Sequence, residues 1–497
     1  MSSVTGTADN MNDSVSMHDQ KEMDEVSMIQ TTEIHLERHR SVTGANFLGT
    51  VLGFLSTGYN IQVFDLVNLV LAYNYGANYT SFYETTIGNA DIYGILVGLL
   101  LFGVFSDWFG RKACLLFSTL LIFVGSVLSS VSWGANGSLI GLFWMMAISR
   151  GIAGVGMGGE YVSGIPNTTE DSEEVNYRHR GRRVGFSVNV VELCANILPK
   201  LVGLILIAIF QYGDVQAIWR ISFAFGAIPC IGLFFIRLRM RNSQLFQLQR
   251  KRQGFLSLDK FDFKYICREY WKPFFACAGN WFLFDWYIFT YDTFGARILS
   301  QVTGAGLLKT SWILLIQRFF YVLGPVSSAL LVDKIGRRKL LLFGWFMLVV
   351  TSAIMGGVFF QLRNVPIAFV IVFSFFYVFQ PFILVLIYLV PAETFPTRFR
   401  AVMLGLCSAA GKCGGIAATE AFNPLKERLG GGDTGLRNLQ FVYTGVACLG
   451  FVITWFFTPE YKEKNLVEKD VQYAEFRRKL HVVSELRDDI EVKKERS

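Results

Sequence analysis

The sequence predicts an all-α integral membrane protein with twelve transmembrane helices in two pseudo-symmetric halves of six. Three observations carry that prediction. Of 497 residues, 52% are hydrophobic and only 17% charged, with a mean hydropathy of +0.39 and 46 phenylalanines, which is too apolar for a water-soluble chain of this length. Twelve stretches of about 20 apolar residues follow one another, and helices suit them because in lipid each segment must satisfy its own backbone donors and acceptors. A similar short loop follows the second stretch of each half: "GVFSDWFGRK" at 103–112 and "ALLVDKIGRRK" at 329–339.

The expected spans are 45–73, 90–106, 113–132, 138–163, 184–211, 219–237, 272–293, 309–332, 339–360, 365–390, 400–420 and 439–458. The second is short, and the seventh carries Asp285 and Asp292. They divide the chain into a polar N-terminal tail (1–43), a first half (44–237), a long basic central loop (238–271), a second half (272–458) and a C-terminal tail (459–497). The first tail is rich in Ser, Thr, Met and acids, so it is expected to be disordered, with no cleavable signal peptide ahead of the first span. Lys and Arg cluster in alternate connections: Arg111 and Lys112, Arg178 to Arg183, the central loop, Lys334 to Lys339, and Arg398 with Arg400. The loops at 74–89, 133–137 and 212–218 have none. The positive-inside rule then puts both termini in the cytosol. The net charge of +7 follows from this bias and calls for no nucleic-acid partner. Asn78 and Asn136 sit in glycosylation sequons within expected outside loops, whereas the sequon at Asn167 falls inside. All eight cysteines lie in or beside spans or in the central loop, so free thiols are expected.

In the paired loops an acid (Asp107, Asp333) is followed by two residues, a glycine and a basic cluster opening with Arg111 or Arg337. The glycine permits a tight turn, and the acid is placed to pair with a base or face a helix N-terminus. Two such loops at equivalent places argue for a duplicated six-helix unit. A third element, "RGIAGVGMGG" at 150–159, sets glycines at alternating positions after Arg150. With these pieces the chain resembles the major facilitator superfamily over essentially all of 45–458. That resemblance implies two six-helix domains, a central site between them and alternating access.

An ionisable side chain at bilayer depth costs roughly 2.5–3.5 kcal/mol on insertion scales, so it faces a cavity or a partner. At about 1.5 Å per residue, Asp285 and Lys412 both come out about 20 Å deep, near the midplane. Lys412, in "GLCSAAGKCGGI", reads either as an anion-binding ammonium on a helix whose small residues leave room for substrate, or as the neutralising partner of Asp285. Asp285 is correspondingly a proton carrier or a structural partner. Arg150, also near the middle, suits helix packing and a proton-path scaffold. Glu160 and Tyr161 follow directly on the glycines and are expected to meet a cavity. Glu192, at a shallower depth, has no motif around it and reads as a proton-coupling acid or a bond to a neighbouring helix. Trp281 lies one turn before Asp285 on the same face. Thr57, Tyr59, Asn60 and Asn189 are polar at mid-depth and either line the cavity or bond to neighbouring helices.

Four segments narrow the resemblance: "GGEY" at 158–161, "GNWFLFD" at 279–285, "PAETFPTRFRAVMLG" at 391–405 and "SAAGKCGG" at 408–415. They look like the phosphate:proton symporter family, which implies phosphate and proton roles for Tyr161, Trp281, Asp285 and Lys412, with Glu160 at the acid used in proton transfer. Thr57 and Asn60 stand where that family's first span has acids, Leu384 where it has a phosphate-ligating Asn, and Phe289 where it has a tyrosine. A site short of polar groups that keeps Lys412 suits a larger anion. "QAIWR" at 216–220, "NPLKERLG" at 423–430 and "DVQYAEF" at 470–476 are similar to the fungal branch of glycerophosphoinositol and glycerophosphocholine permeases. The expectation is a proton-coupled plasma-membrane importer of glycerophosphodiesters, its substrate anion on Lys412 and its head group near Leu384 and Phe289. An inorganic phosphate:proton symporter is the alternative, and a nutrient receptor a third. Substrate, protons and membrane lipid are the partners implied. No cofactor or metal is expected, and no nucleophile elbow or phosphate-cradling loop points to an enzyme.

Overall fold

The computed structural model describes residues 44–210, 215–243, 246–247, 260–303, 307–462 and 464–477. The expected N-terminal tail lies outside them, as do the middle of the central loop and the end of the C-terminal tail. Nine stretches among the described residues are long and apolar enough to cross a membrane, and one of them, 139–210, runs through both the fourth and fifth spans. With the first span (Gly44–Tyr75) and the seventh (Trp271–Thr303), there are twelve crossings.

The second span is a full helix, Ser81–Phe109, not the short segment its hydropathy suggested. Its first turns, through Glu84, are too polar to register as apolar. The third is Arg111–Ser130, and the fourth, Leu139–Asn176, runs well past its apolar part. The fifth is not one helix. Arg180–Val184 leads into a π-helical turn, Gly185–Val190, then Val191–Ala195 and Leu198–Phe210. The sixth is Val215–Leu238 and the eighth Leu307–Ile335. The ninth, tenth, eleventh and twelfth are Arg337–Gly357, Pro366–Thr394, Arg400–Arg428 and Gly432–Phe457.

Packing repeats between halves. The second span packs on the fourth, the third on the sixth and the first on the sixth; correspondingly the eighth packs on the tenth, the ninth on the twelfth and the seventh on the twelfth. Across the interface the second meets the eleventh and the fifth meets the eighth, which is the pairing a two-fold axis between duplicated halves requires.

The two acid-glycine-basic loops turn in the same way. Gly110 and Gly336 have φ of 99° and 102°, a region where a β-carbon is strained. In each loop the acid pairs with the arginine four residues on, Asp107 with Arg111 at 2.5 Å and Asp333 with Arg337 at 3.1 Å. Each acid also accepts from backbone N–H groups that open a helix of the opposite half: Asp107 from Ala401 and Val402, Asp333 from Gly181 and Arg182. Those amides are the unsatisfied donors of a helix start, where a carboxylate is favoured by the helix dipole as well.

Behind each loop sits a buried carboxylate between two arginines. Glu170 takes Arg111 of its own half and Arg400 across the interface. Glu393 takes Arg337 of its own half and Arg180 across it. The end of the bundle that carries the basic loops is thus fastened by two related clamps. Part of the C-terminal tail lies over them. Leu466 N donates to Glu173, Lys464 O accepts from Arg180, Asp470 accepts from Thr397 N and Oγ1, and Tyr473 is fully buried beside Phe399 and Tyr265. All described cysteines are free thiols.

Candidate functional site

The seventh and eleventh spans approach closely because the eleventh is poor in side chains. A β-carbon on Gly411 would lie 2.2 Å from Trp281 Cδ1, one on Gly414 2.2 Å from the carbonyl oxygen of Phe282, and one on Gly415 2.6 Å from Phe289. The small residues expected to make room for substrate make room at these three positions for the seventh span. That approach brings Lys412 and Asp285 together, as their matching depth predicted: Lys412 Nζ donates to Asp285 Oδ2 at 3.0 Å, and both side chains are buried. The ammonium also sits 4.8 Å from the ring centre of Phe289 and 6.0 Å from that of Tyr161. Aromatic faces stabilise a cation that has left water.

Around this pair stands a set of rings contributed by both halves. Trp281 stacks on Tyr388 at 5.2 Å, and Tyr388 meets Tyr161 edge-on at 5.6 Å. Tyr388 escaped sequence reasoning. Its only signal is a polar-tipped ring in the aliphatic run "ILVLIYLVPAE", and buried tyrosines need a partner for the hydroxyl.

Glu192 is placed differently from expectation. It belongs to the centre: the Tyr161 hydroxyl donates to Glu192 Oε1 at 2.5 Å. The depth estimate fell short because it counted from residue 184, whereas the helix opens at Arg180, four residues or about 6 Å earlier; a π-helical turn, a feature that recurs at functional sites, also precedes Glu192. Asn189 lies in that turn, and neither of its amide atoms has a partner among the described residues. Thr57 is also buried with an unpartnered hydroxyl.

The other expected site residues are engaged elsewhere. Glu160, next to Tyr161, points to the sixth span and pairs with Arg237, both fully buried; it does not touch the Lys412–Asp285 pair. Arg150 ties the fourth span to the second through Asp91 Oδ2 at 2.6 Å and Ile87 O at 3.1 Å, its guanidinium 4.4 Å from the ring centre of Phe64. It stands eleven residues from Tyr161 along one helix, about 16 Å away, so it belongs to a separate packing centre. Asp91 was missed, because hydropathy placed its segment near a helix end. Asn60 bonds to Ser56 O, Gly226 O and Ser126 Oγ and is a helix fastener. Asp107, Arg111, Asp333 and Arg337 are in the loop clamps and remote from the centre.

The Lys412 ammonium and the Asp285 carboxylate hold each other at a buried, aromatic centre, so protonating the carboxylate or bringing in another anion would loosen the pair.

Comparison with known proteins agrees. The family model described as sugar (and other) transporter matches residues 45–256 and 265–473. Glycerophosphoinositol transporter 1 of Saccharomyces cerevisiae is 29% identical over 85% of this chain and 80% of its own, and a glycerophosphocholine permease of Candida albicans is 27% identical over 85% and 80%. Among solved structures, the proton:xylose symporter XylE bound to 6-bromo-6-deoxy-D-glucose superposes with a TM-score of 0.71 at 19% identity, covering 86% of this chain and 98% of that one. Its likeness shows the fold, a major facilitator bundle. The chain is a secondary transporter of the sugar (and other) transporter family.

Proposed function

We propose that this protein is a proton-coupled importer of glycerophosphodiesters in the plasma membrane, with both termini and the basic end of the bundle in the cytosol. The observation that carries the reading is the Lys412–Asp285 pair, buried against Trp281, Phe289 and Tyr161. A phosphodiester is a monoanion at neutral pH. If it displaced an ionised Asp285 from Lys412, the buried centre would hold an extra negative charge, which costs several kcal/mol. If Asp285 takes a proton first, the ammonium is released and the anion replaces the carboxylate at no change in net charge. One proton per anion is the simplest cycle.

The rest of the site supports this assignment. Tyr161 and Trp281 flank the anion, and Glu160, held by Arg237 on the side of the basic end, takes part in proton release. Arg150 with Asp91 keeps the second and fourth spans rigid. Substrate at the centre, held from both halves, lets the domains 44–237 and 272–458 rock about it. The relatives named above for glycerophosphoinositol and glycerophosphocholine support the substrate class. The basic loops support the orientation.

The test is uptake of labelled glycerophosphoinositol, glycerophosphocholine and inorganic phosphate by cells that lack their own transporters. Diester uptake that falls when external pH rises or an uncoupler is added, and that Lys412→Ala abolishes, is the expected result. A wide preference for inorganic phosphate overturns the substrate class; indifference to pH and uncoupler overturns the coupling.

A further inference from the structure

The glycerophosphodiester reading leaves the head group open. The expectation from sequence put it beside Leu384 and Phe289, but Phe289 lies on Lys412 and Gly415, and neither residue offers a polar atom. The first half of the molecule offers several. Thr57, Asn189 and Glu192 are 0%, 0% and 6% exposed. Among the described residues, Thr57 Oγ1, Asn189 Nδ2, Asn189 Oδ1 and Glu192 Oε2 have no hydrogen-bond partner. Buried polar groups are nearly always paired, so such a cluster calls for an explanation.

Sequence spacing and shared neighbours bring these residues to one region of the first half. Asn189 is one turn before Glu192, whose other oxygen holds the Tyr161 hydroxyl. Thr57 is one turn after Phe54, whose ring packs 6.0 Å from that of Tyr161. The first and fifth spans touch here: a β-carbon on Gly58 would lie 2.4 Å from Glu192 O, 2.9 Å from Ala195 Cβ and 3.2 Å from Asn196 Oδ1. The Lys412 ammonium is 6.0 Å from the centre of the same tyrosine ring, and the head group of a glycerophosphodiester is bonded directly to the phosphate that the ammonium would hold.

We propose that the first and fifth spans form a head-group subsite for a polyol, with Thr57, Asn189 and Glu192 as its specificity-determining residues, while Lys412 in the second half holds the phosphodiester. The chemistry follows from the unpaired atoms. An amide supplies both a donor and an acceptor, a hydroxyl supplies either, and a carboxylate accepts. A ring of hydroxyls satisfies all of them, and hydroxyls donating to Glu192 are charge-assisted and strong. A trimethylammonium head group carries no donor or acceptor and leaves Asn189 and Thr57 unpaired, a heavy penalty in a buried site. The arrangement also gives Glu192 a role: one oxygen holds the Tyr161 hydroxyl and the other accepts from the ligand's hydroxyls.

The proposal rests on the glycerophosphodiester reading, and the experiment separates the two. Full-length wild type, Asn189→Leu, Thr57→Val and Glu192→Gln are expressed in transporter-deficient cells, normalised to surface-labelled protein, and assayed for uptake of glycerophosphoinositol and glycerophosphocholine. The readout is the ratio of their specificity constants, which does not depend on how much protein folds. Wild type favours the inositol diester, and Asn189→Leu and Thr57→Val each lower the ratio about tenfold, the loss of one hydrogen bond. A ratio that stays put in both variants overturns the subsite while the substrate class stands. A ratio that rises in Glu192→Gln identifies Glu192 as the partner of a cationic head group and overturns it as well. Wild type that carries neither diester overturns the underlying reading itself.

Discussion

Replacing Glu170 and Glu393 with glutamine should open the basic end of the bundle. Glu170 accepts from Arg400 across the interface at 2.8 Å, and Glu393 accepts from Arg180 across it at 2.8 Å. Both acids are fully buried with their arginines. Each cross-half contact is a charge-assisted hydrogen bond, worth about 1.5–3 kcal/mol net. The low end applies, because the arginines regain water once the halves part. One substitution then weakens the closed state by about 1.5 kcal/mol, roughly twelvefold in the closed-to-open ratio. The two clamps share no residue, so the double variant should lose about 3 kcal/mol, more than a hundredfold. Spin labels at Phe109→Cys and Lys339→Cys, exposed positions at the basic end of opposite halves, read the change as a distance distribution, with the exposed native cysteines replaced. A wild-type population mostly at the short distance should become mixed in the single variants and mostly long in the double. A double variant with the wild-type distribution would refute the clamp as the lock on this end.

Other expectations are simpler. Asp285→Asn should leave exchange of labelled for unlabelled diester intact while removing its response to a proton gradient; gradient-driven accumulation in the variant contradicts the assignment. Gly411→Ala should destabilise the protein by about 1–3 kcal/mol, as overpacking does, because the new methyl meets Trp281 at 2.2 Å, whereas Gly445, with nothing within 4 Å, should tolerate alanine; melting of detergent-purified protein compares them. Burial pushes the Asp470 carboxyl above its ordinary range, with Arg400 and Thr397 pulling the other way. An acid raised in the docked state favours docking while protonated, so the tail strap should hold best at low pH and loosen as pH rises through that raised value. Limited proteolysis of the segment after Thr458 should speed up accordingly, and a rate independent of pH counts against it.

The sequence reached furthest where chemistry is local. An acid, a glycine and an arginine within five residues define a loop whatever surrounds them, and both loops adopt the expected turn and pairing. Lys412 with Asp285 was legible because two opposite charges at one depth in lipid have little choice of partner. The failures have a common physical origin: a contact between helices depends on rotation about each helix axis, and depth alone does not fix it. Glu160 and Tyr161 are neighbours in sequence, yet one faces Arg237 and the other Glu192. Asp91 could not be matched to Arg150, nor Tyr388 to Trp281, until the packing was known. Glu192 shows a further limit, since a depth count is only as good as its starting residue, and a helix that opens at Arg180 instead of 184 carries the side chain about 6 Å deeper.

The site and the clamps share the same rods, and this carries a last prediction. The fourth span holds both Tyr161 and Glu170, the tenth both Tyr388 and Glu393, and the eleventh both Lys412 and Arg400. A ligand that engages Tyr161 from one half and Lys412 from the other fixes how those helices sit, and so biases whether Glu170 reaches Arg400. Linkage then runs both ways: whatever factor the ligand applies to the closed-to-open ratio, that ratio applies to the ligand's affinity. In purified protein, the dissociation constant of the diester in the double Glu170→Gln, Glu393→Gln variant should differ from wild type in the direction set by the ligand's own effect on the spin-label distances. If the diester shifts the distances toward closed, the variant binds it more weakly; if toward open, more tightly. A diester that moves the labels while the variant binds it with wild-type affinity breaks that reciprocity, and the clamps then respond to something other than the central site.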